Sequence, residues 1–88
     1  MIAMELKILN EFGIHARVAS RIVRCAGSFA SSVCVKKEGE VFDLKTVLGV
    51  ITLNAKYGES LTIEVEGPDE AEAAKTLEEL FAMKFGEN

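Results

Sequence analysis

The chain opens with apolar and polar residues in alternation: Met4, Leu6 and Ile8 are separated by Glu5 and Lys7, a period of two that predicts a first strand. Asn10-Glu11-Phe12-Gly13 punctuates it. The period then changes. Ala19, Ile22, Val23 and Ala26 recur at i, i+3, i+4 and i+7, the apolar stripe of a helix that begins near Ala16 and closes at Gly27-Ser28. Arg17, Arg21 and Arg24 form a second stripe at i, i+4 and i+7, so one face is built for the core while the other presents three guanidiniums.

SSVCVKK and EVFDL, parted by Glu38-Gly39, predict a hairpin with Val33 and Val35 on one face. The next apolar run, TVLGVITL, fits two readings. Its β-branched residues suit a strand, whereas Thr46 is a fit cap for a short helix. SLTIEVE is the clearest strand, with Leu61, Ile63 and Val65 on one side and Thr62, Glu64 and Glu66 on the other. Gly67-Pro68 ends it, and Asp69 with Glu72 makes a capping-box pattern before a last helix. Ala73, Leu77, Leu80 and Phe81 carry that helix's apolar face, with the aliphatic stem of Lys84 as its expected continuation. The resulting order, β-α-β-β-(α or β)-β-α, predicts an α+β fold in which helices cover one face of a sheet.

Eighty-eight residues suffice for one core, so a single domain spanning 1–88 is expected. No apolar run is long enough to insert into a bilayer as a helix. MIAMELK lacks the basic and long apolar segments of a signal peptide, so the expected location is the cytoplasm. Cys25 and Cys34 match no disulfide framework or zinc spacing and are expected as reduced thiols. One histidine cannot complete a metal cluster, and no metal is expected. The net charge of −4 disfavours nucleic acid. An RNA-binding sheet shares the element order, but Phe42 is the one strand aromatic in place for stacking on a base. The charge is unevenly spread. From Phe12 to Lys56 the acids are only Glu38, Glu40 and Asp43, whereas nine of the 14 acids lie from Glu59 onward. A basic front half of this kind steers an acidic protein partner.

That front half holds the one histidine, His15, at the junction of loop and helix. The first turn of a helix has backbone N–H groups without intrahelical partners, and these bind anions. Gly13 removes a Cβ where a phosphate or partner backbone must approach, and Arg17 offers a planar fork of donors to phosphate oxygens. These are the parts of an imidazole that accepts and holds a phosphoryl group. A lone histidine at a helix start also serves as a plain surface residue or cap. Glu11 is the nearest carboxylate along the chain, and no second histidine is present to complete an enzyme's site.

GIHAR, followed by an alanine-containing helix, resembles the active-site signature of the HPr family, the histidine-containing phosphocarriers of the bacterial phosphotransferase system. KTVLGVITLNAKYG and IEVEGPDEAEA resemble the family's second motif and its last strand, turn and acidic helix start, in order and nearly end to end. The resemblance implies an open-faced β-sandwich with order βαββαβα, a four-stranded antiparallel sheet with helices on one face. TVLGVITL then becomes a short helix opening at Thr46. It implies that Nδ1 of His15 takes phosphate from phosphorylated enzyme I, charged by phosphoenolpyruvate, and passes it to an enzyme IIA domain. Arg17 would hold the phosphoryl oxygens, with Gly13 and Ala16 forming the phosphate loop. Val47, Leu48 and Ile51 would form the apolar docking patch, at least one of them packed in the core, with Arg21 and Arg24 beside it. The protein would act as a stoichiometric carrier, not an enzyme, as a monomer without cofactor, and without nucleic acid or membrane insertion.

Three positions depart from the family pattern. Val18 stands where many members have proline, and it keeps an N–H at the helix start. Phe12 stands where a small polar residue is common; it cannot hydrogen-bond a phosphoryl group and is placed to rest on a partner or cover the ring. Thr46 replaces the serine that a dedicated HPr kinase/phosphorylase modifies in some bacteria; its simpler role is an N-cap. A phosphate on Thr46 would put negative charge into the docking patch. The competing function is therefore a regulatory protein-binding module controlled at Thr46, with little or no phosphotransfer. Retention of His15 favours the carrier.

Overall fold

Cross-strand rows of apolar side chains organise the protein. The computed structural model describes residues 1–87, in which β1 (Ile2–Lys7), α1 (Ala16–Gly27), β2 (Ser32–Lys37), β3 (Glu40–Asp43), α2 (Val47–Leu53), β4 (Ser60–Glu66) and α3 (Glu70–Ala82) follow in order. The strands form one antiparallel sheet in the order β1-β4-β2-β3. Ile2, Val65 and Val33 lie in register across it, as do Met4, Ile63, Val35 and Phe42, and Leu6 faces Leu61. Most of the alternate residues, among them Glu5, Lys7, Lys36, Thr62 and Glu66, are exposed, so the outer face of the sheet is open to solvent. The helices cover the inner face, and the fold is the α+β open-faced sandwich with order βαββαβα. Phe42 is packed against the core, which removes the stacking aromatic an RNA-binding sheet would need.

TVLGVITL resolves as helix α2. Thr46 Oγ1 accepts from the Gly49 N–H at 3.0 Å and donates to the Asp43 carbonyl at 3.3 Å, fixing the helix start. Gly49 lets that start sit down on β3, because a Cβ there would lie 2.1 Å from the Asp43 carbonyl oxygen. Val50 and Leu53 are buried, and Asn54 ends the helix in the left-handed region at φ 51°. The β-branched run is thus held helical by its cap and its two buried contacts, against its own strand preference.

Helix α1 buries Val18, Ala19, Ile22 and Ala26, while Val23 is half-buried. Val18, where the family pattern has proline, is a core residue of this helix, completely removed from solvent. Burying a side chain of this kind stabilises the fold by roughly 1.5–3 kcal/mol. Helix α3 buries Ala73, Ala74, Leu77 and Phe81.

Two expectations for α3 are corrected. Asp69 occupies its N-cap position but makes no side-chain cap bond. Its carboxylate instead accepts from the Ala30 and Ser31 N–H groups, each at 2.9 Å, and from the Ser31 hydroxyl. Three donors at the entry to β2 outcompete one at the helix start, and Glu70 rather than Glu72 reaches back, to the Gly67 N–H at 3.2 Å. Lys84 does not extend the apolar face either. It is exposed, and Phe85 fills that place, 1% exposed and edge-on to Phe81 with ring centroids 4.7 Å apart. Cys25 and Cys34 stand as free, half-buried thiols, each raised in pKa chiefly by burial.

Candidate functional site

The loop from Leu9 to Ile14 brings β1 onto α1, closed by an internal turn and tied at its far end to the residues after α2. The Gly13 N–H donates to the Asn10 carbonyl at 3.0 Å, and the Ile14 N–H donates to the Ala55 carbonyl at 3.1 Å, just past α2. Gly13 has φ +67°, and a Cβ on it would meet the Ala55 carbonyl oxygen at 2.8 Å. The expected reason for this glycine, approach of a phosphate or partner, gives way to a nearer one: the chain's own backbone occupies the space.

This loop delivers His15 to the N-cap of α1 with extended backbone, φ −112° and ψ −179°. Its carbonyl accepts the first helical bond from the Ala19 N–H at 2.8 Å, while its own side chain makes no cap bond and no other described side chain caps the helix start. First-turn N–H groups therefore remain for an anion. The imidazole is half-buried, its side chain 38% exposed, and Nε2 lies 2.8 Å from Oε2 of Glu87. A carboxylate thus does sit at the ring, but it is Glu87 near the far end of the chain rather than Glu11.

Arg17 and Ala16, in the first turn, are exposed, and the Arg17 guanidinium has no hydrogen-bond or ion-pair partner among the described residues. Arg17 shares with His15 an open basin of about 980 Å³ whose lining includes Phe12, Arg21, Tyr57 and Glu87. Phe12 is 82% and Tyr57 67% exposed, so two aromatic rings stand at the rim. The three guanidiniums of α1 are not equivalent. Arg17 and Arg24 are exposed, but Arg21 is half-buried and its Nη1 donates to the Phe85 carbonyl at 2.6 Å.

Val47, Leu48 and Ile51 are 55%, 74% and 44% exposed, so none of the three is spent on the core. Helix α2, which carries them, packs on α1. Thr46 is exposed at the start of α2 and its hydroxyl serves as the cap. The fold therefore gathers His15, Arg17 and Ala16 on one helix start, places an apolar patch on the adjoining helix, and turns Arg21 toward the chain's end. Sequence reasoning missed Asn10, Tyr57 and Glu87. Asn10 sits in the loop before His15 but nothing local marks its role, while tertiary contacts bring Tyr57 into the basin and Glu87 to the ring: the Asn10–Glu87 bond joins residues 77 apart.

Chemically, the arrangement offers an accessible imidazole, a planar cation with free donors, and open helix N–H groups, the means to take and hold a phosphoryl group. No described helix is long and apolar enough to cross a membrane. Residues 2–83 match the family described as the PTS HPr component phosphorylation site. The chain is 39% identical over 87 residues to phosphocarrier protein HPr of Cupriavidus necator, covering 99% of this chain and 98% of that protein. It is 37% identical to phosphocarrier protein HPr of Treponema pallidum, covering 99% of each. A crystal structure of HPr from Thermoanaerobacter tengcongensis superposes with a TM-score of 0.94 at 35% identity, covering all of this chain and 99% of that one.

Proposed function

The chain belongs to the HPr family of phosphocarriers, and from that premise we propose that His15 accepts a phosphoryl group from phosphorylated enzyme I and passes it to an enzyme IIA domain. The single observation that carries this reading is the half-exposed imidazole of His15 at a helix start that no described side chain caps, beside an Arg17 guanidinium with no partner among the described residues. The protein is a stoichiometric carrier in a relay charged by phosphoenolpyruvate, and it works in the cytoplasm. A ring nitrogen attacks phosphorus as the donor's P–N bond breaks, and the donor imidazole leaves with that bond's electron pair. Phosphoryl transfer needs positioning and charge stabilisation more than covalent chemistry from the protein. The Arg17 fork and the first-turn N–H groups supply both, by binding the three phosphoryl oxygens. Return transfer to the next imidazole repeats the step in reverse roles. Val47, Leu48 and Ile51, with Arg24 at hand, serve as the docking surface for both partners.

Intact-protein mass after incubation with phosphoenolpyruvate and the cognate enzyme I tests this reading. One added phosphate is expected, lost in acid and stable in base, and absent from a His15→Ala variant. Failure to gain mass, with the enzyme I shown active on another carrier, would leave the regulatory binding module as the better reading.

A further inference from the structure

The end of the chain closes on the site in an unusual conformation. Lys84, Phe85 and Gly86 all have positive φ, at 56°, 55° and 82°. For two consecutive non-glycine residues this carries a conformational cost that surrounding contacts must over-determine. Those contacts converge on the histidine. Phe85 is buried against Phe81, and Arg21 Nη1 donates to its carbonyl at 2.6 Å. Asn10, 3% exposed, donates through Nδ2 to the Lys84 carbonyl at 2.8 Å and to Oε1 of Glu87 at 3.0 Å. Its own Oδ1 is buried and has no partner among the described residues. Both neighbours of the amide are acceptors only, so its nitrogen must face them and its oxygen must point away. Asn10 thus commits both of its donors to holding the strap in place. The other oxygen of the same carboxylate, Oε2 of Glu87, lies 2.8 Å from Nε2 of His15.

An ionised carboxylate accepts hydrogen bonds and donates none. Glu87 therefore selects the ring form with hydrogen on Nε2, and the neutral imidazole then has its lone pair on Nδ1. We propose that residues 84–87 are a positioning strap, in which Asn10 and Arg21 hold Glu87 against Nε2 so that Nδ1 is the nitrogen presented to phosphorus. This rests on the phosphocarrier reading for its consequence, but not for its geometry. In the step itself the Nδ1–P bond forms as the donor's P–N bond breaks, the donor imidazole leaves with the electron pair, and the hydrogen stays on Nε2. The positive charge that the ring gains is delocalised onto Nε2–H, where the Glu87 carboxylate faces it.

The test is long-range proton–nitrogen NMR of the His15 ring, run on the neutral ring, together with the single-turnover rate of phosphoryl acceptance. Wild type is expected to show one tautomer, with hydrogen on Nε2. Glu87→Ala and Asn10→Ala should each give a mixture of tautomers, and acceptance should slow by roughly tenfold in Glu87→Ala. Glu87→Gln, whose amide oxygen still accepts, should restore the tautomer and recover only part of the rate. Unchanged tautomer signals in Glu87→Ala would overturn the proposal, and so would a mixed tautomer with an unchanged rate. Glu87 lies outside the apolar core, so its variants keep the test alive if Asn10→Ala does not fold. A wild type that accepts no phosphoryl group would sink the carrier reading instead, and the tautomer signals would still decide the strap.

Discussion

Arg17 is the residue at which shape and charge can be separated. It is exposed and has no hydrogen-bond or ion-pair partner among the described residues, so replacing it should change stability by no more than about 0.5 kcal/mol. Its planar fork matches phosphoryl oxygens two at a time, whereas lysine presents a single compact charge. Arg17→Lys should slow acceptance by roughly tenfold, and Arg17→Ala by roughly a hundredfold, in single-turnover rapid-quench measurements. Equal rates for the wild type and Arg17→Ala would remove Arg17 from the site. The placement of His15 and Arg17 together at a helix start was legible from the sequence because they lie within one short motif where the period changes. Gly13 was legible as a necessary glycine, but its reason was not, since the atom it avoids belongs to Ala55. Glu87 was invisible for the same cause on a larger scale: nothing near His15 announces a carboxylate that the fold returns from the other end of the chain.

Under the proposed function, helix α2 ties local chemistry to docking. Its start depends on Gly49, where an added Cβ would fall 2.1 Å from the Asp43 carbonyl oxygen. Gly49→Ala must move the helix or the strand, at a cost of about 1–3 kcal/mol, read as a lower urea midpoint. Leu48→Ala should act in the opposite way. Leu48 is 74% exposed, so stability should hold within about 0.5 kcal/mol while affinity for a docking partner drops. A Leu48→Ala variant that unfolds early yet binds normally would show that α2 serves the core and not the partner. The residues of α2 carry a strand-like preference, and only the Thr46 cap and the burial of Val50 and Leu53 decide the matter. Strands β1, β2 and β4 were readable because period-two alternation maps directly onto a sheet with one wet face. The capping box at α3 was misread because Ser31 and Ala30 are better partners for Asp69 than its own helix.

For the whole molecule, the uneven charge has a kinetic and a thermodynamic side. Arg17 and Arg24 are exposed on α1, the helix on which α2 packs, so association with an acidic partner should slow as salt rises. The acids of the back half act on stability instead. Asp69 is held below the ordinary aspartate pKa of 3.8, first by the Ser31 hydroxyl and then by the Ala30 N–H. Glu59 is held below 4.5, chiefly by its bond to Lys37, and Glu70 below 4.5, chiefly by the chain's amino terminus. A carboxylate with a depressed folded pKa contributes stability above its unfolded pKa, and that contribution disappears as pH falls through the folded value. The amino terminus is raised above 8.0 by Glu70, so its share is present below that value and is lost as pH rises through the folded one. The urea midpoint should therefore fall on the acid side, beginning near the ordinary carboxylate range. Asp69→Asn should lower the midpoint at neutral pH but converge on the wild type as the solution becomes more acid, because protonation takes from the wild type what the substitution has already removed. Two midpoint curves that stay parallel down to the acid limit would mean that the Asp69–Ser31 contact contributes no charge-dependent stability, and that the acid sensitivity of the fold resides in Glu59 and Glu70.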